Sequence, residues 1–84
     1  MENTDQPDKM DFVDARLYMA EAVNNMNAKI AARVINDSDE KLLKKLFSCL
    51  NAVGITVLYM INWMRESNQM RAAIKLSECY YLRN

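Results

Sequence analysis

Residues 46–64, LFSCLNAVGITVLYMINWM, run for nineteen positions without a charge. Leu46, Phe47, Leu50, Val53, Ile55, Val57, Leu58, Met60, Ile61 and Met64 supply most of the apolar surface. Such a segment has to be covered, and what covers it decides the fold. The chain holds one glycine, Gly54, and one proline, Pro7. It is rich in Ala, Leu, Met, Lys, Arg and Glu, all good helix formers. Tight hairpin turns draw on glycine and proline, so their scarcity argues against an all-β fold. The segment is therefore expected at the centre of a helix over 38–66. Leu43, Phe47, Leu50, Val57, Ile61 and Met64 mark one face, with Gly54 in the same row. Leu42, Leu46, Val53 and Met60 lie alongside, and Ile55, Leu58 and Tyr59 reach the other side. A helix apolar nearly all round needs cover on more than one side. Gly54 costs about 1 kcal/mol of helix propensity relative to alanine, and its smallness would admit a second helix closely.

Upstream, Phe12, Ala15, Met19, Ala22, Met26, Ile30 and Val34 recur at steps of three and four, the stripe of an amphipathic helix over 8–35. Val13, Leu17, Tyr18, Val23 and Ile35 widen that stripe. Asp8, Asp11 and Asp14 complement the positive end of the helix. Asn36-Asp37-Ser38 should stop it, and Asp37 with Glu40 resembles a capping box for the next start. The short join makes the two helices antiparallel neighbours. Arg65-Glu66-Ser67-Asn68 is the next polar break, and Ser67 or Asn68 would cap a third helix over 68–82. Met70, Ala73, Ile74, Ser77 and Tyr81 form its stripe. Without a bend at Ser67-Asn68, one helix would run from 39 to 82. Residues 1–7 read as a flexible acidic arm, and 8–84 as one helical domain.

The expected fold is all-α: a long antiparallel helical hairpin plus a short C-terminal helix, a three-helix bundle dimerising through helix two. The dimer follows from size. A chain of 84 residues buries only about 60–65% of its unfolded surface, and small scaffolds lean on a partner, a metal or disulfides. There is no histidine, and Cys49 and Cys79 are the two cysteines. Two thiols alone make neither a closed zinc site nor a disulfide framework. Both are expected free in a reducing cytoplasm, with Cys49 packed as a small hydrophobe.

Chemistry has little to work with. No histidine serves as a base, no serine has an evident partner, and no glycine-rich phosphate loop occurs. The expectation is a non-enzyme without cofactor or metal. The acidic N-terminus is the reverse of a secretory signal. Segment 46–64 sits at the threshold length of a membrane span, with lysines before it, Arg65 after it and Tyr59 and Trp63 towards one end. Asn51, Asn62, Ser48 and Thr56 inside it are costly in hydrocarbon, so a core helix is preferred.

Residues 1–40 carry nine acids and four bases, a net of −5, and residues 41–84 seven bases and two acids, a net of +5. The split favours docking of one half against the other and is poor footing for a strong nucleic-acid binder. Lys41, Lys44 and Lys45 oppose the helix dipole at the start of helix two. Asp37, Asp39 and Glu40 offset them, unless an acidic partner or a phosphate uses the cluster. Met19, Met26, Met60, Met64 and Met70 fall on apolar faces as gap fillers or as a pliable binding surface. Asn51 and Asn62 in the apolar seam would set the register of an oligomer. The candidate self or partner interface comprises Phe47, Leu50, Asn51, Gly54, Leu58, Tyr59, Ile61, Asn62, Trp63, Tyr80 and Tyr81, with the aromatics as anchors. The leading functional reading is a self-associating, non-enzymatic interaction module: a small regulator, adaptor or secretion-type chaperone of bacterial or phage character. Its mechanism is helix-in-groove docking of a protein partner. The second reading is a dimeric nucleic-acid-binding regulator using the basic half. The third is a small protein spanning a membrane at 46–64.

Overall fold

The computed structural model describes residues 10–81. The expected arm over 1–7, the start of helix one at residue 8 and the end of helix three at residue 82 lie outside the described residues. Within them the fold is all-α, and each long helix of the sequence reading is two shorter ones. The elements are α1 (Phe12–Asn24), α2 (Ala28–Asp37), α3 (Glu40–Ala52), α4 (Val57–Glu66) and α5 (Met70–Tyr80). The continuous helices expected over 8–35 and 38–66, and with them the simple hairpin, are corrected to this broken path.

The same device makes three of the breaks. Met26, Gly54 and Asn68 take left-handed φ values of 53°, 88° and 63°. Around each, the chain closes two backbone hydrogen bonds that satisfy the last carbonyls of the ending helix. Met26 N–H donates to the Val23 carbonyl and Asn27 N–H to that of Ala22. Gly54 N–H donates to Asn51 and Ile55 N–H to Leu50; Asn68 N–H donates to Arg65 and Gln69 N–H to Met64. The next helix restarts at once. The Asn27 side chain accepts from Ile30 N–H at 3.2 Å and that of Thr56 from Tyr59 N–H at 3.0 Å, each satisfying an orphan donor of the first turn. Between α2 and α3 the cap is Asp39, accepting from Leu42 N–H at 2.8 Å. This corrects the box expected at Asp37, which is the last residue of α2.

Gly54 thus serves conformation rather than packing. A Cβ built on it would meet nothing within 4 Å. A glycine inside a helix gains stability on replacement by alanine, whereas one at positive φ loses it. Gly54→Ala is expected to destabilise by about 1–2 kcal/mol, the cost of a left-handed L-residue. Urea denaturation reads the sign directly, and a stabilised variant would restore the continuous-helix reading.

The bend between α3 and α4 is 102°, and it folds the uncharged segment back on the chain's own core. Leu46, Phe47, Met60, Ile61 and Met64 are buried there with Met19 of α1, Ile35 of α2 and Leu76 of α5. Alanines 15, 22, 31, 32, 72 and 73 are also buried and let helices approach closely. α1 packs on α2, α4 on α5, α2 on α5 and α1 on α3. The segment is nevertheless not enclosed: Val53, Leu58 and Tyr59 are 72%, 58% and 51% exposed. Cys49, expected in the core, is exposed, whereas Cys79 is buried, and both are free thiols. No single described helix is long and apolar enough to cross a membrane; α3 and α4 reach that composition only as a bent pair.

Candidate functional site

Two helices carry apolar stripes on their outer faces. On α1 the buried side is Ala15, Met19 and Ala22. Opposite it, Val13, Leu17, Ala20 and Asn24 follow one another at steps of four, three and four and all face solvent. Val13 and Leu17 are each 64% exposed. Helical geometry places these four residues in one row, the spacing of a seam that packs on another helix. Asp14 and Glu21, both exposed, flank the row on one side. Beyond them Tyr18, half exposed, leads to a groove of about 330 Å³ lined also by Met10, Ile30, Arg33 and Val34. The sequence reading assigned Val13, Leu17 and Tyr18 to the buried face. The structure corrects this: Ala15, Met19 and Ala22 take the interior, and Val13, Leu17 and Tyr18 stay outside.

α5 repeats the pattern. Ala72, Ala73, Leu76 and Cys79 face the core, while Met70, Ile74, Ser77 and Tyr81 form the outer row, again at steps of four, three and four. Met70, Ile74 and Tyr81 are 45%, 52% and 60% exposed. Beside the row lies a polar groove of about 490 Å³ lined by Asn36, Asp37, Arg71, Ile74, Lys75 and Glu78. Lys75 Nζ donates to the Asn36 carbonyl at 2.9 Å and to the Ser38 carbonyl at 2.6 Å. It supplies the positive charge that the last turn of α2 lacks in its own sequence. Burial pushes the Lys75 pKa below its usual 10.5, against the raising influence of Asp37 and Asp39. Ser38 Oγ donates to the Val34 carbonyl at 2.6 Å from a buried position. The Asn36 side-chain oxygen is buried without a hydrogen-bond partner among the described residues.

The expected interface residues are dispersed. Phe47 and Ile61 lie in the core, Leu50, Trp63 and Tyr80 are half-buried, and Asn51, Gly54, Leu58, Tyr59, Asn62 and Tyr81 are exposed. Asn51 and Asn62 therefore stand on the surface of the chain, outside its apolar seam. Phe47 meets Tyr80 edge to face at 6.3 Å, a favourable geometry for aromatic rings. The lysine cluster is divided as well. Lys44 Nζ lies 5.4 Å from the Tyr80 ring centroid and 3.7 Å from Glu40 Oε2. Lys45 Nζ lies 4.4 Å from that of Phe12, within cation–π range. Lys41 is exposed. Among the described residues no three His, Cys, Asp or Glu side chains converge to hold a metal. No family model matches the chain, and no curated protein or solved structure shows significant similarity to it.

Proposed function

We propose that the chain is a non-enzymatic, cytoplasmic protein-interaction module that holds a partner helix on the outer face of α1. The observation that carries this is the row Val13, Leu17, Ala20 and Asn24, aligned on solvent with two large aliphatic side chains 64% exposed. Exposed apolar residues scattered singly need no explanation, whereas an aligned row at seam spacing is a helix-docking surface. The acids Asp14 and Glu21 on one side of it, opposite Arg16, select the partner: an amphipathic helix whose apolar stripe carries lysine or arginine along the matching side. Tyr18 and the groove behind it provide an anchor pocket. Self-association belongs to the same reading.

The test is a photo-crosslinking residue placed at Leu17 in the full chain, and at exposed Lys29 as the control, in the native cell. A discrete protein adduct is expected from position 17 alone and should disappear when Val13→Glu is added. The partner segment in the adduct should be helical and basic. Equal adducts from positions 17 and 29, or an adduct indifferent to Val13→Glu, would overturn the reading.

A further inference from the structure

We infer that two copies of the chain pair through the outer face of α5, antiparallel about a two-fold axis. The inference rests on the interaction-module reading for its self-association, and it assigns that property to a different helix from the partner face.

The argument is one of self-complementarity. A two-fold contact brings a surface against its own copy, so the surface must match itself in reverse. In α5 the row Met70, Ile74, Ser77 and Tyr81 is exposed or half-exposed. Reversed against itself, it places Met70 beside Tyr81 of the second copy and Ile74 beside Ser77. Each layer then pairs a large side chain with a complementary one. Arg71 and Glu78 each follow a row position by one residue and so flank the row on the same side. In antiparallel helices, same-side flanks meet in reverse order. Arg71 of each copy therefore faces Glu78 of the other, twice. A parallel pairing would set this flank against Ala73 and Tyr80, which carry no charge. The row on α1 fails the same test. On its acidic flank Asp14 and Glu21 would meet as like charges in reverse order, while Arg16 on the other flank would meet only Val23, so α1 disfavours antiparallel pairing with its own copy. Of the two rows in antiparallel pairing, the α5 row is the one whose charges close on themselves.

Each copy contributes one helix of eleven residues, at the small end of interface sizes, so the dimer should be reversible and concentration dependent. Sedimentation equilibrium of the full chain from about 1 μM to about 1 mM spans the corresponding affinities. The expected result is a monomer–dimer equilibrium. Arg71→Glu and Glu78→Arg each convert two attractions into two repulsions and should weaken it by about tenfold or more. The double variant Arg71→Glu with Glu78→Arg restores both pairs and should return the dissociation constant to within about threefold of the parent. Ile74→Glu should leave only monomer. Circular dichroism checks that each variant keeps its helices, and Arg71→Gln, which adds no opposing charge, should weaken pairing to an intermediate degree. A chain that stays monomeric throughout, or a dimer indifferent to the single reversals, overturns the inference. So does a double variant that fails to recover. A monomer that still crosslinks from position 17 would sink the pairing and leave the partner face standing.

Discussion

Leu76→Ala is expected to remove about 2–5 kcal/mol of stability, the range for emptying a buried leucine site. A chain of 84 residues has about 4–13 kcal/mol in total, so this one change takes a large part of it. Leu76 is fully buried on α5, and α5 is the helix that packs on both α2 and α4. A cavity there loosens both contacts at once. The melting temperature should fall by about 10 °C or more, since each kcal/mol is worth about 4–8 °C in a domain of this size. The internal control is Ile74→Ala, two residues away but 52% exposed, which should change stability by no more than about 0.5 kcal/mol at concentrations where the chain is monomeric. Equal losses from the two changes would show that the core is not where the structure puts it.

Lys75→Met is expected to cost about 1–3 kcal/mol, the penalty for leaving part-buried acceptors without their donor. The unbranched methionine side chain matches the lysine stem in length, so what is lost is the amino group that donates to the Asn36 and Ser38 carbonyls. Its pH dependence has a defined sign. Burial lowers the folded-state pKa of Lys75 below the usual 10.5, with Asp37 and Asp39 opposing the shift and Arg71 adding to it. Folding therefore releases a proton in the window between the lowered value and 10.5. Stability rises with pH wherever the unfolded chain holds more protons. The ionisation of Lys75 thus disfavours the fold below that window and ceases to do so as pH climbs towards 10.5. Tyr80 acts the other way: burial raises its pKa above 10.0, and its contribution is lost as pH climbs through the folded value. Tyr80 is present in both proteins, so the difference between parent and Lys75→Met reports the lysine together with its coupling to Cys79. That difference, from urea titrations at pH 8 and pH 10, should grow with pH. A difference that shrinks would place the lysine in an environment that stabilises its charge.

The helical class and the break at Ser67-Asn68 were legible from periodicity and from the polar interruption. The breaks at 25–27 and 53–56 were hidden by the same periodicity. Met26, Ile30 and Val34 keep a step of four across the first break, yet Met26 is the left-handed residue and is 73% exposed. Asn27 lies inside the expected helix, yet asparagine prefers a cap, which it becomes. Thr56, two residues after Gly54, was the comparable signal in the second case. The outer row of α1 was missed for a different reason. Its inner side, Ala15, Met19 and Ala22, lies on the stripe read from the sequence, but Val13, Leu17 and Tyr18 join that stripe because they are apolar too. Periodicity shows that a helix has apolar sides but not which of two sides the rest of the chain leaves room for. Lys75 was out of reach altogether, because its acceptors are main-chain carbonyls 37 and 39 positions away.

The successive left-handed caps leave no helix longer than 13 residues among the described ones. Segments of that length are marginal by themselves in water, so none of the five can serve as a seed that waits for the others. Order in this molecule is collective: ribosomal emergence of the N-terminal helices should yield little that persists until the last of them arrives to close the bundle.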